Sequence, residues 1–301
     1  MSIICYSVTF ILGIVGNGLV IWISGFKMKK TVNTIWFFNL GFTDFCFCLF
    51  LPLHITEWAN NGIWPFGPVM CKLVYTTLFL NMSVSISFLT IISVDRCVSI
   101  QCPVWSKNHR NCKLATSISV IIWFLCLVLS SPYLAFYNIE KHQDENISYC
   151  SDDYAAWINI TTSDEWTFDL RNKAMFITRF VSMFLIPFFI VLVCYGLIAF
   201  HVRKSSRLSG SRRTFRIIII IVLCFFSCWF LFHLMPFLNF MKIGMNEDLR
   251  FFMHHFADCL AYFNSCLNPM VYVFTGRSFK KVLRKSIPFL LENTFRERED
   301  I

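Results

Sequence analysis

Five ionisable side chains stand out because they lie inside or at the ends of long apolar runs: Asp44, Asp95, Arg96, Arg179 and Asp258. Hydrocarbon solvates none of them, so each is a functional candidate by position. The runs that can face Asp44 also supply Asn17, Asn81, Ser85, Asn264, Ser265 and Asn268. A carboxylate ringed by amide and hydroxyl oxygens has the chemistry of a monovalent cation site. The same residues serve equally well as a polar network that joins helices, and chemistry alone leaves both readings open. No nucleophile or metal-ligand constellation stands out, so no enzymatic reaction is expected. His54, His233, His254 and His255 fall near the ends of apolar runs and read as pocket or packing residues.

The elements that must position these groups are membrane helices. Of the 301 residues, 56% are hydrophobic and only 15% are charged, against roughly 25% charged in soluble domains. The apolar residues come in runs near the length of about 20 that crosses a bilayer. Spans are predicted over 3–25, 33–57, 70–99, 115–136, 172–201, 215–240 and 250–274. Residues 1–275 thus form an all-α membrane bundle of seven transmembrane helices, and 276–301 a short amphipathic helix 8 and tail. In helix 8, Phe279, Val282 and Leu283 share one face and Lys280, Lys281, Arg284 and Lys285 the other, as in a helix lying in the interface.

Basic residues crowd one side of these spans: Lys27, Lys29 and Lys30, Lys107, Arg110 and Lys113, Arg203 to Arg216, and the tail. The positive-inside rule makes that side cytoplasmic. The amino terminus is then extracellular and the carboxyl terminus cytoplasmic, the parity seven spans require. A plasma-membrane, multi-pass protein is expected. Two N-glycosylation sequons, at Asn146 and Asn159, fall in the longest outer loop. The net charge of +9 is a matter of topology and of contacts with membrane lipids, not of nucleic acid. Most of the 14 cysteines lie inside apolar runs and read as small hydrophobes. Cys71 and Cys150 are set near polar segments instead.

The order and spacing of several strings resemble the signature of class A (rhodopsin-like) G-protein-coupled receptors along the whole chain. They are Gly16-Asn17, Leu40 to Asp44, Asp95-Arg96-Cys97, Trp123, Pro187 with Tyr195, Phe225 with Cys228-Trp229, and Asn268-Pro269-Met-Val-Tyr272. The resemblance implies that Asp95 holds the switch arginine Arg96 at rest. It implies that Tyr195 and Tyr272 swing toward Arg96, and that Trp229 and Phe225 relay changes in the pocket. It implies an allosteric sodium ion held by Asp44, Ser85, Asn264, Ser265 and Asn268, with no other cofactor, and a disulfide between Cys71 and Cys150.

Within the class, Phe26 to Asn33, Trp64-Pro-Phe-Gly67, Pro103 to Arg110 and Phe263 to Pro269 look like the chemoattractant group, which holds the chemerin, formyl-peptide and anaphylatoxin receptors. That likeness implies an extracellular peptide, protein or lipid-acid ligand whose carboxylate meets Arg179, eight residues before Pro187. A guanidinium forks onto a carboxylate with two hydrogen bonds. An internal pair between Arg179 and Asp258 is the plainer alternative. Phe79, Phe180, Phe232 and Tyr262 are expected to take apolar ligand groups. The group also implies an inhibitory-type heterotrimeric G protein and chemotactic or inflammatory signalling; the chain's own tail has few serines and threonines (Ser286, Thr294), so weak tail phosphorylation for arrestin is expected.

Two departures bear on signalling. Span 6 of the class reads Cys-Trp-x-Pro, and here it reads Cys228-Trp-Phe-Leu231. Without the kinking proline, weakened or altered signalling is expected, and a decoy or scavenger that binds ligand without signalling is the alternative. The first span also begins within a few residues of Met1, which leaves a lost outer segment and an incomplete chain both open. Span 7 has no lysine for a retinal Schiff base, so a light-sensing pigment is not expected.

Overall fold

The computed structural model describes residues 2–141, 148–152, 165–204, 223, 225–238, 241, 244, 246–275 and 282–283. It is a helix bundle. Helix α1 (Ser2–Trp22) ends in a π-helical turn, Ile23–Lys27. Helices α2 (Val32–Cys48) and α3 (Leu51–Ala59) continue one another across a break. Pro52 explains the break, because a proline has no N–H to bond back to the preceding turn. The long α4 (Gly67–Gln101) is followed by short α5 (Pro103–His109), then α6 (Cys112–Ser130) and α7 (Pro132–Phe136). Helix α8 (Glu165–Phe180) passes through a π segment, Val181–Leu185, into α9 (Ile186–Lys204). Helices α10 (Phe225–Leu238) and α11 (Glu247–Thr275) complete the bundle.

Five helical segments are long and apolar enough to cross a membrane: Ser2–Lys27, Val32–Ala59, Gly67–Gln101, Cys112–Phe136 and Leu170–His201. Helix α10 is shorter among the described residues, and α11 carries a polar stripe from Asp258 to Asn268 that faces inward. Helix α4 is the axis. Its 35 residues span about 50 Å at 1.5 Å per residue, more than a bilayer core is thick. It packs against α2, α6, α7 and α9. Helix α6, by contrast, turns Val120, Ile121, Phe124, Leu125 and Val128 outward, as a lipid-facing helix should. Lipid tails are as apolar as leucine, so burial selects small and polar groups instead: Asn17, Thr43, Ser83, Ser85, Ser93 and Asn264 are all enclosed.

Glycine sets the closest approaches. A Cβ on Gly16 would stand 3.0 Å from Pro269 Cγ, and one on Gly41 would stand 2.9 Å from Val20 Cγ1. Helix α1 therefore lies directly on α2 and α11.

The class of fold is the one expected from sequence, with one addition. Strands β1 (Tyr137–Lys141) and β2 (Ser148–Asp152) form an antiparallel hairpin with Ile139 opposite Cys150. Its alternating residues have period two, as strands require. The hairpin is bound to the bundle by the Cys71–Cys150 disulfide and by the Trp64 N–H donating to Ser148 O at 2.7 Å. Trp64 itself is buried beside Cys71 and Val74, with its indole N–H on Gly67 O at 2.9 Å. The sequons at Asn146 and Asn159 and most of the helix 8 stretch lie outside the described residues; Val282 and Leu283 are helical and pack on the main core.

Candidate functional site

Beneath the hairpin the helices part around a cavity of 680 Å³. Helices α1, α3, α4, α8, α10 and α11 and both strands contribute to its wall. Of the residues expected to meet ligand, Arg179, Asp258, Phe79, Phe232 and Tyr262 line it. Phe180 does not. It stacks in the seam between α8 and α10 against Phe176, Phe184 and His233, with ring centroids 5.6–5.8 Å apart. Arg179 and Phe180 are neighbours on one helix, about 100° apart, and here Arg179 takes the cavity side while Phe180 takes the seam.

Arg179 lies over two aromatic faces, 5.3 Å from the Phe79 centroid and 5.8 Å from that of Phe232. Its Nε is buried without a hydrogen-bond partner. Asp258 lines the same cavity, but no ion pair joins it to Arg179 among the described residues. Among the described residues, no carboxylate meets the Arg179 guanidinium. The π segment after Phe180 aims this side chain. An α-helix turns 100° per residue, so the extra residue in that turn rotates everything before it relative to Pro187.

The cavity also has an acidic flank, where His54, read from sequence as a pocket or packing residue, meets Glu57. His54 Nδ1 lies 3.2 Å from Glu57 Oε2, both nearly buried. Tyr6, Tyr75 and Tyr262 surround that imidazole with centroids 5.4–6.4 Å away. The i, i+3 spacing of His54 and Glu57 on a helix was the available signal.

Deeper in the bundle, Asp44 is enclosed. Asn81 Nδ2 and Ser85 Oγ donate to its Oδ1 at 2.9 and 3.2 Å, and Asn268 Nδ2 donates to Oδ2 at 2.5 Å. Asn17 reaches across to Ser265 O at 3.0 Å. The structure thus brings Asp44, Ser85, Ser265 and Asn268 together, with Asn264 buried on the same helix as the last two. Asn264 Oδ1 and Asn17 Oδ1 are buried acceptors without partners. Trp229 is buried on α10, 6.1 Å from Phe225 and 5.4 Å from Phe232. It connects a cavity residue to the packed interior of α10.

At the opposite end, the expected Asp95–Arg96 contact is replaced. Asp95 is gripped by Arg110, Nε to Oδ1 at 2.7 Å and Nη2 to Oδ2 at 2.9 Å. Arg96 donates instead to Asn33 Oδ1 at 2.9 Å. Consecutive residues on a helix do not face each other, which leaves Asp95 free to take a partner from another element. Tyr195 is buried beside this group, with its hydroxyl 3.5 Å from Ser93 Oγ. Tyr272 lies in the last turns of α11, and its side chain is outside the described residues.

Comparison with known proteins agrees with this arrangement. Residues 16–272 match the family described as 7 transmembrane receptor (rhodopsin family). Chemerin-like receptor 1 of Sus scrofa is 42% identical over 93% of this chain and 78% of its own length. Formyl peptide receptor 2 of Mus musculus is 38% identical and N-formyl peptide receptor 3 of Homo sapiens 36%, each over 99% of this chain and 86% of its own length. The matched region runs from the turn that holds Asn17 to Tyr272, taking in most of the cavity wall, the buried carboxylate and the Asp95-Arg96 pair, and the chain belongs to the rhodopsin family of seven-transmembrane receptors, which are membrane receptors and not enzymes.

Proposed function

We propose that this chain is a chemoattractant-type receptor whose ligand is a peptide, protein terminus or lipid ending in a carboxylate, and that it activates an inhibitory-type G protein. The observation that carries the reading is Arg179, a guanidinium in the cavity wall with aromatic faces around it, a buried Nε without a partner and, among the described residues, no carboxylate on it. A ligand carboxylate supplies the missing charge and two parallel hydrogen bonds. Phe79, Phe232 and Tyr262 offer the apolar walls that bury the group next to it. Asp258 and Glu57, across the same cavity, suit a ligand with a cationic group behind its acidic end. In this reading the hairpin end faces the extracellular side, and the end with Arg96 meets the G protein.

The Asp44 cluster suits a sodium ion. Its available donors are oxygens, as a hard monovalent cation requires. The unpartnered Asn264 Oδ1 and Asn17 Oδ1 are what a cation satisfies. Asp44 and Ser85 would hold it beside Asn264, with the positive charge neutralising the buried carboxylate. The chain's own part is to keep that carboxylate dry and to tie α2, α4 and α11 together through it.

The test is inhibitory G-protein activation in cells, with surface arrival confirmed by an epitope tag. Chemoattractant peptides are applied as free acids and as C-terminal amides, with and without pertussis toxin. A toxin-sensitive response to the acids that is lost in Arg179→Ala supports the proposal. Binding at the surface without any G-protein response refutes the signalling half and leaves a decoy.

A further inference from the structure

We infer that His54 is a second anchor for the ligand: the Glu57 carboxylate fixes its ring, and its Nε2 accepts a hydrogen bond from a primary ammonium group, as on a lysine side chain or a free amino terminus. The inference rests on the receptor reading above and names what the acidic flank of the same cavity takes. His54 is 2% exposed and lines the cavity, yet its Nε2 is buried without a hydrogen-bond partner among the described residues. A buried polar atom in that state costs free energy until something bonds to it. The other ring nitrogen, Nδ1, lies 3.2 Å from Glu57 Oε2. A carboxylate only accepts, so Nδ1 carries the proton, and the neutral ring presents a lone pair at Nε2.

The pair is held in place by its helix and by its neighbours. His54 and Glu57 stand three residues apart on α3 and so share one face. The carbonyl of Glu57 accepts from the N–H groups of Asn60 and Gly62 at 3.2 and 2.8 Å, which closes the end of α3. Gly62 makes that turn at a φ of +86°, a left-handed conformation that glycine adopts without steric cost. Around the imidazole stand Tyr75 of α4, edge-on at 5.5 Å, Tyr262 of α11 at 5.4 Å and Tyr6 of α1 at 6.4 Å between ring centroids. A ring enclosed in this way loses little rotamer freedom when it forms one more bond.

The charge on the cavity wall selects an ammonium over a neutral donor. Its lysine and arginine, Lys173 and Arg179, both come from α8, whereas its carboxylates, Glu57, Asp152 and Asp258, come from α3, β2 and α11. The cavity is therefore dipolar, and a ligand with a carboxylate on the α8 wall is matched by a cation on the α3 wall. A hydroxyl or amide N–H would satisfy Nε2 but bring no charge to the three carboxylates. An ammonium does both, in surroundings drier than water where the attraction is stronger, and tyrosine rings attract it further. Glu57 acts through the ring of His54 and is a positioning residue; it need not touch the ligand.

The experiment uses the purified full chain and a series of peptide acids ending in phenylalanine, in which one lysine is moved along a glycine chain. Each member is made with the lysine free or acetylated, with the amino terminus free or acetylated, and also as its C-terminal amide. Titration calorimetry gives Kd, and melting without ligand checks the fold of each variant. Expected is a member whose ammonium form binds about 10-fold or more tighter than its acetylated form, because a hydrogen bond to a charged group is lost on acetylation. Acetylating the lysine or the amino terminus in turn tells which ammonium is seated. In His54→Phe the preference should fall to within about threefold, while the preference for acid over amide stays. In Glu57→Gln it should shrink, again with the acid preference unchanged; a variant that only loosened the fold would weaken every member alike. Glu57→Gln carries the test if His54→Phe does not fold. Free and acetylated forms bound alike, with acids still ahead of amides, overturn the inference and leave the carboxylate reading standing, and so does an ammonium preference that survives in His54→Phe. Acids and amides bound alike, with an ammonium preference that depends on His54, refute the carboxylate reading and leave the ammonium site standing. No binding anywhere in the series overturns both.

Discussion

Replacing Arg179 by leucine separates binding from folding. In the unliganded protein Arg179 costs and contributes at once. A buried donor without a partner, as Nε is, costs about 1–3 kcal/mol. Two cation–π contacts, to Phe79 and Phe232, return roughly 0.5–2 kcal/mol each. The terms nearly cancel, so Arg179→Leu should change unliganded stability by less than about 1 kcal/mol. Affinity behaves differently. Removing one partner of a buried, hydrogen-bonded charge pair costs about 2–5 kcal/mol, a loss of roughly 30-fold to more than 1,000-fold in Kd. The assay is competition binding on membranes with one peptide as its free acid and as its C-terminal amide, alongside melting of the purified receptor. The acid should lose its advantage in the variant, and the amide should bind within about threefold of its wild-type affinity. If acid and amide fall together, or if the unliganded receptor melts far lower, Arg179 is a structural residue and the carboxylate argument fails.

Asp44→Asn should abolish any dependence of agonist affinity on sodium. Binding in sodium chloride against choline chloride reads this directly, and a dependence that survives in the variant removes the cation from the Asp44 cluster. Gly41→Val should cost about 1–3 kcal/mol by overpacking, because its new Cβ meets the buried, stiff Val20 at 2.9 Å; reduced surface expression and a lower melting point report it, and wild-type values of both would show that α1 does not press on α2. Leu231→Pro removes one backbone hydrogen bond in the middle of α10 and kinks it, at a stability cost of about 3 kcal/mol. It should raise maximal agonist response per receptor at the surface, and an unchanged response would show that this receptor opens without a hinge at that position.

The sequence by itself determined the class of fold, because bilayer thickness imposes a length on every span and hydrocarbon punishes every charge within it. The same punishment exposed Asp44, Arg179 and Asp258 as residues to explain, before any contact was known. Motif order then placed the chain in a receptor family, since Asp95-Arg96 and Asn268-Pro269 recur at fixed spacing along it. What remained for the tertiary structure were choices between partners that sequence leaves equivalent. Arg179 and Asp258 can pair on paper, yet the π segment turns the guanidinium onto Phe79 and Phe232. Phe180 reads as well as Phe79 for a ligand contact, but one residue of helix rotates it into the seam with α10. Asp95 sits next to Arg96 in the chain, and the helix points the two apart, so its fork comes from Arg110, fifteen residues away. The hairpin over the cavity was hidden for a similar reason: two five-residue strands carry little periodic signal, and only their pairing and the Cys71–Cys150 bond fix them. Apolar length and charge position are properties of the chain, whereas side-chain direction depends on how helices rotate and pack against one another.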